Sequence, residues 1–208
     1  MSVRVAVLAL QGDFAEHAMR FRQLGCEVAE LRCAADLDSS FDALVLPGGE
    51  SSAQTKLLDE FAMRAPLKRR IKAGLPTFAT CAGLILLARE VEQGNGDPCV
   101  SDRAAKVSSG AFATLPVRVK RNAYGRQLAS FHAEAPLRTE DSPEIPLTFI
   151  RAPRIVAIGE GVEVLVELDG RPVAVRFGNQ LGITFHPELD ADDALYRSFL
   201  GMIATHRP

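Results

Sequence analysis

Short apolar runs alternate with amphipathic segments through the first half of this 208-residue chain. VRVAVLAL opens it, a helical stretch spans about Phe14 to Leu24, and CEVAEL and DALVLPGG follow. A second helical stretch covers about Gln54 to Ala73, and PTFAT leads into a helix from Ala82. Apolar runs of strand length set between segments of helical period predict parallel βαβ units. Strands that are apolar on both faces must be covered on both faces, so helices are expected on either side of the sheet. The punctuation agrees: Asp13 stands three residues before Glu16 as in a capping box, Gly25 ends the first helix, and Gly74 ahead of Pro76 ends the second helical region.

After residue 92 the rhythm changes. Residues 93 to 113 are polar and glycine-rich and predict a surface excursion; from 115 on, LPVRVK, LASFHA, LTFI, VEVLVEL, RPVAVRF and LGITF read as strands. Asp169-Gly170 signals a hairpin, Gly178-Asn179 the next turn, and a final helix is expected from about Asp192 to Ala204. The expected fold is α/β: one domain over residues 1 to 208 with a mixed, mostly parallel central sheet flanked by helices. A formal net charge of −2 offers no basic field for nucleic acid. The opening run carries Arg4, is too short to cross a bilayer and precedes no small-residue cleavage pattern, which predicts a cytoplasmic protein with no membrane partner. Cys26, Cys33, Cys81 and Cys99 form no C-x-x-C pair, so no disulfide framework or metal site is expected; most read as small buried apolar residues, and Cys81 is judged by its local setting.

Cys81 lies where the run PTFAT gives way to the helix AGLILLARE. A strand turning sharply into a helix is the geometry of a nucleophile elbow, which lifts the turn residue's side chain above the carboxyl edge of the sheet. The unpaired amides and positive dipole end of the helix favour thiolate over thiol. Gly83 suits the elbow because a side chain there would crowd the neighbouring strand, and the Ala82 N–H points where an oxyanion would form.

A base is needed. His206 lies in the tail, His17 within a helix and His132 within a strand, but His186 ends an apolar strand and precedes Pro187 and Glu188. In extended chain, residues two apart project to the same side, so Glu188 can hold one ring nitrogen and turn the other toward the thiol. The loop PGGES (47–51) adds two glycines whose amides can face a carboxamide or an oxyanion. It lacks the trailing Lys-Ser/Thr of a phosphate loop, which disfavours nucleotide binding.

PGGES, TCAGL and HPE, in that order, resemble the triad-type, class I glutamine amidotransferases. Other branches of that class usually carry Gln four residues after the cysteine; here position 85 is Ile. LALQGDFAEH (8–17), RNAYGRQ (121–127) and FIRAP (149–153) narrow the resemblance to the glutaminase subunits of pyridoxal 5′-phosphate synthase, with Ser52 standing where that family more often has Thr. The resemblance implies a flavodoxin-like fold, with Cys81 as nucleophile, His186 as general base and then acid, and Glu188 as its partner. It implies L-glutamine held by Gly49, Glu50, Ser51, Arg121, Ile150 and Arg151, an oxyanion hole of Gly49 and Ala82 amides, and no cofactor. It further implies ammonia delivery to a separate synthase subunit, a TIM barrel, in a hetero-oligomer, with Gln11 and Gly12 at the contact and low activity until docking. Two alternatives stay open: a γ-glutamyl peptide hydrolase, and a binding module whose triad is silent.

Overall fold

The computed structural model of the chain describes residues 2–93, 107–121, 130–139 and 143–206. The first half forms β1 (Arg4–Leu8), α1 (Phe14–Gln23), β2 (Glu27–Leu31), β3 (Ala43–Leu46), α2 (Ser51–Glu60), α3 (Arg64–Lys72), β4 (Thr77–Thr80) and α4 (Ala82–Leu87). Then come β5 (Ala88–Glu92), β6 (Val107–Ser108), β7 (Leu115–Lys120), β8 (Ser130–Pro136), β9 (Glu144–Ile150) and β10 (Arg154–Ile158). The chain closes with β11 (Glu163–Leu168), β12 (Arg171–Phe177), β13 (Gln180–Ile183) and α5 (Ala194–His206).

Seven strands form the main sheet in the order β11-β12-β13-β4-β3-β1-β2. Those from β13 to β2 are parallel, and β12 and β11 add an antiparallel edge joined by the expected Asp169-Gly170 hairpin. The parallel order β2-β1-β3-β4-β13 is the flavodoxin-like doubly wound arrangement, as expected.

Strand alternation divides the interior into two cores. Val5 and Val7 of β1 face Phe21 of α1, Phe78, Tyr196 and Phe199 of α5, and Leu147 and Phe149 of β9. Ala6 and Leu8 point the other way, onto Leu44, Leu46, Leu58, Leu67 and Leu84 and on to Val119 and Ile155. Each large side chain fully buried in these layers contributes about 1.5–3 kcal/mol. Helices alone do not cover the sheet: the β8–β9 pair joins α1 and α5 on one face, and a four-stranded sheet, β10-β7-β5-β6, joins α2, α3 and α4 on the other.

The structure corrects several local expectations. The helical stretch from Gln54 to Ala73 is two helices, and the first starts at Ser51. Between them Ala62 takes φ 53°, with its amide on Asp59 O and that of buried Met63 on Leu58 O. This is a Schellman closure without glycine, so nothing in the residue types announces it. AGLILLARE is helical only to Leu87, because amides of Gly110, Phe112 and Thr114 bind the carbonyls of Ala88, Leu86 and Leu87 and turn the chain into β5. Cys26 is only half-buried and Cys33 is exposed at the start of a short 3-10 turn, Ala34–Asp38. Cys99 and most of the expected excursion lie outside the described residues; its end, from 107, returns as β6 paired with β5.

Candidate active site

Four segments that leave parallel strands at their carboxyl ends converge, as ligand sites do in doubly wound sheets. They are Gln11 to Asp13 after β1, Pro47 to Ser51 after β3, Cys81 after β4, and Thr184 to Glu188 after β13. Cys81 has φ 44° and ψ −102°, left-handed backbone that costs a side chain about 1–3 kcal/mol and that marks an elbow. Its amide donates to Ile183 O at 2.8 Å, pinning the turn to β13. The close approach expected at Gly83 is present: a Cβ there would lie 2.0 Å from Leu46 O of β3. At six residues α4 is short, so its dipole is a smaller asset than the expected longer helix would bring.

His186 Nδ1 lies 2.6 Å from Glu188 Oε1, both side chains being almost fully buried. The route differs from the expected one: β13 ends at Ile183, and Pro187–Leu189 is a 3-10 turn, so a tight turn and not extended chain brings the carboxylate back to the ring. The His186 amide donates to Thr148 O at 2.8 Å, fixing the ring's backbone from β9. Asp13 also differs. It makes no capping hydrogen bond to α1, and its Oδ2 sits 3.5 Å from His186 Nδ1. That proximity holds the Asp13 carboxyl below its ordinary value.

Burial pulls the His186 pKa down, but hydrogen bonding to Asp13, Cys81 and Glu188 and the charge of Cys81 outweigh it, and the ring is pushed up to about 12. The resting imidazole therefore carries its proton. With Nδ1 taken by Glu188, Nε2 is the nitrogen left for the thiol. Cys81 attracts the ring, yet Nε2 is buried without a hydrogen-bond partner that meets close geometry, so the sulfur is in reach and not seated. Asp13, His186 and Glu188 place ligand atoms within 4.8 Å of one another, as a metal site would. The 2.6 Å contact from Nδ1 to Glu188 is a hydrogen bond, however, and leaves no room for an ion between them.

Behind Glu188 stands His17, fully buried on the inner face of α1. Its Nε2 is 3.4 Å from Glu188 Oε2 and 3.0 Å from Thr80 Oγ1, and its Nδ1 is 2.9 Å from the Tyr196 hydroxyl. The sequence concealed this partnership because Glu188 is remote along the chain; the one signal was His17 on the same helical face as buried Ala18 and Phe21.

The loop after β3 closes the site. Glu50 caps α2, accepting from the amides of Ser52 and Ala53, and its Oε1 binds Arg121 at 2.8 Å. Burial pushes the Glu50 carboxyl up, but those amides and Arg121 together leave it below its ordinary value. Arg121 also donates to Ser52 Oγ at 3.0 Å, and Gln11 Oε1 accepts from the Glu50 amide at 2.7 Å. Gly49 takes φ 138°, and a Cβ there would lie 2.6 Å from Gln11 Oε1, so the loop and the Gln11 segment touch through glycine.

A cavity of about 530 Å³ collects Cys81, His186, Gly49, Glu50, Ser51, Arg121, Ile150 and Arg151, and adds Gln11, Asp13, Ile85 and Pro153. Of the residues named from sequence, Ala82 and Glu188 do not line it; both are buried, and Glu188 reaches it through His186. Arg151 enters with φ 46°. The rest of RNAYGRQ beyond Arg121 lies outside the described residues. A larger cavity of about 570 Å³ alongside shares Ser51, Ile85 and Arg121 but contains neither Cys81 nor His186.

Comparison with known proteins agrees with this geometry. A pyridoxal 5′-phosphate synthase subunit PdxT of Desulfitobacterium hafniense is 50% identical over 202 residues, covering 97% of this chain and 94% of the relative. The PdxT of Methanocorpusculum labreanum is 45% identical over 202 residues, 97% of this chain and 98% of its own length. A crystal structure of a glutamine amidotransferase superposes with a TM-score of 0.83 at 40% identity, covering 96% of this chain and 98% of that one. Residues 7–205 match the model of one family, and the chain belongs to it: the SNO glutamine amidotransferase family.

Proposed function

We propose that this chain hydrolyses L-glutamine to L-glutamate and ammonia through a thioester on Cys81, and passes the ammonia to a separate synthase subunit that makes pyridoxal 5′-phosphate. The observation that carries the reading is the hydrogen-bonded pair of His186 and Glu188 delivered by β13 beside the strained Cys81 turn at the end of β4. Relatives named as subunits of that synthase match nearly the whole chain, which supports the assignment of the acceptor.

The Cys81 sulfur attacks the side-chain carbonyl carbon of glutamine. The negative oxygen that forms faces the Gly49 and Ala82 amides. As the C–N bond breaks, the His186 imidazolium gives its proton to the departing nitrogen, and ammonia leaves. The neutral ring then takes a proton from water, whose oxygen attacks the thioester; the C–S bond breaks, glutamate leaves, and Cys81 and His186 return to their starting state. In this cycle His186 gives a proton in the acylation half and takes one from water in the second half.

Arg121 and Arg151 bracket the cavity as the cationic side chains for the substrate carboxylate, and Gly49, Glu50, Ser51 and Ile150 form the rest of its bed. The synthase partner is a TIM barrel in a hetero-oligomer, working in the cytoplasm. Docking on the Gln11 segment acts through Gln11, whose side chain holds the Glu50 amide and touches Gly49.

The test is glutaminase activity of the native chain and of Cys81→Ala, each with and without the synthase subunit, and with γ-glutamyl dipeptides as competing substrates. Glutamine turnover that rises when the synthase is added and vanishes in Cys81→Ala is expected. Equal rates with and without the partner, or preference for the dipeptides, would reject the assignment.

A further inference from the structure

Glu188 has two oxygens, and the triad uses one. Oε1 receives the His186 Nδ1–H, while Oε2 is buried and faces His17 Nε2 at 3.4 Å. Both side chains in that contact are fully shielded from water. A carboxylate so enclosed needs protein donors, because water cannot supply them and an unpaired lone pair in this setting is expensive. His17 is the group placed to give one.

The polarity of the network follows from its ends. Glu188, as a carboxylate, only accepts, and the Tyr196 hydroxyl can donate. Burial holds the His17 ring below its ordinary pKa, hence neutral, with one N–H. Tyr196 lies on the Nδ1 side at 2.9 Å, and burial keeps its phenol protonated. In the arrangement that follows, Tyr196 O–H donates to Nδ1 and Nε2–H donates to Thr80 Oγ1 at 3.0 Å, with Glu188 Oε2 alongside at 3.4 Å, close enough to feel the N–H dipole but without a hydrogen bond of its own. Phe78 packs edge-on to the imidazole and stacks on the Tyr196 ring, so the row is fixed by packing as well as by hydrogen bonds.

We propose that His17 is a positioning residue for glutamine hydrolysis: the dipole of its Nε2–H holds the rear oxygen of Glu188, which stops the carboxylate turning and keeps the front oxygen on His186 Nδ1. The chain of support runs from the C-terminal helix to the base, Tyr196 to His17 to Glu188 to His186. His17 never meets substrate, since the cavity that holds Cys81 and His186 does not include it. The inference rests on the assignment of Cys81, His186 and Glu188 made above.

Two substitutions separate this role from simple packing. In His17→Gln the side-chain amide can extend to the position of Nε2 and keep a donor beside Glu188. In His17→Asn the amide stops near the position of Nδ1, keeping a polar group beside Tyr196 but leaving Oε2 unheld. Steady-state glutamine hydrolysis is measured for the full chain with its synthase subunit, and melting temperature confirms folding. His17→Asn is expected to lower kcat about 10- to 100-fold with KM within about twofold, the cost of loosening a group that orients the reacting one. His17→Gln should return kcat to within about threefold. In a Glu188→Gln background the Asn and Gln substitutions should differ by less than about twofold, because the group through which His17 acts is already altered.

Equal kcat for the two variants when both are folded, or the same difference between them with and without Glu188, would overturn the proposal. If Cys81→Ala is inactive while both His17 variants match the native rate, the positioning role alone fails. If Cys81→Ala retains activity, the site assignment itself is wrong.

Discussion

Gly48 lies under the His186 ring, and its replacement by alanine tests the geometry with a single methyl group. A Cβ at that position would stand 2.6 Å from His186 Cε1, 3.0 Å from His186 Nδ1 and 2.7 Å from Asp13 Oδ2. Gly48 is not among the positive-φ residues, so alanine adds a clash and no backbone strain. Since carbon atoms rest about 3.5 Å apart or more, the ring must retreat by roughly 0.9 Å. It cannot do so freely, because Nδ1 is held at 2.6 Å by Glu188 and the backbone amide at 2.8 Å by Thr148 O. A displacement of about 1 Å at the reacting groups costs on the order of a hundredfold in rate. Gly48→Ala should therefore lower kcat about 100-fold, with KM moved by less than about threefold and only a small change in thermal midpoint. Gly201→Ala is the control, as its methyl would enter open space on α5. The assay is ammonia release from glutamine in the presence of the synthase subunit, alongside a melting curve. A Gly48→Ala variant that folds and turns over within about threefold of the native rate would refute the placement of the imidazole against this loop.

Cys81→Gly and Cys81→Ala should both abolish glutamine turnover, yet differ in stability. Glycine accepts φ 44° without penalty, so Cys81→Gly should be more stable than Cys81→Ala by about 1 kcal/mol in urea unfolding, and equal midpoints would mean that the elbow stores no strain. The buried histidines make opposite demands on pH. His17 is held below its ordinary 6.5, so the unfolded chain binds the extra proton and stability declines as pH falls below about 6.5, by at most about 1.4 kcal/mol per unit. His186 is raised to about 12, so its contribution is complete below 6.5 and is lost as pH rises from there toward 12. Urea midpoints across this range should show His17→Gln flattening the acid side alone, and an unchanged acid slope in that variant would count against the buried neutral imidazole.

Much of the site was readable in the sequence because its residues sit at strand ends, where apolar runs stop at Gly-Gly, Cys or His-Pro. Cys81, His186, the 47–51 loop and Arg121 all come from such places or from motif resemblance, and the cavity gathers them. What could not be read depends on distance in space. The rear support of Glu188 joins α1 to the segment after β13, and no local pattern links them. Gly48 looks like its neighbour Gly49 in the sequence, but one glycine makes room for a ring and the other for Gln11. Asp13 fits a capping box by spacing, yet the positive ring of His186 draws its carboxylate away from the helix end. The early end of α4 is set by amides from residues 110 to 114, and the break at Ala62 by a left-handed alanine that residue type does not announce.

The amide of Cys81 bonds to Ile183 O, a contact that exists only once β13 has paired with β4. Cys81 and His186 are thus neighbours by virtue of the pairing of β13 with β4, two strands far apart along the chain. A nascent or partly assembled chain holds a thiol without a proton donor and a loop without its imidazole. Until β13 pairs with β4, no backbone hydrogen bond ties the Cys81 turn to the segment that carries His186.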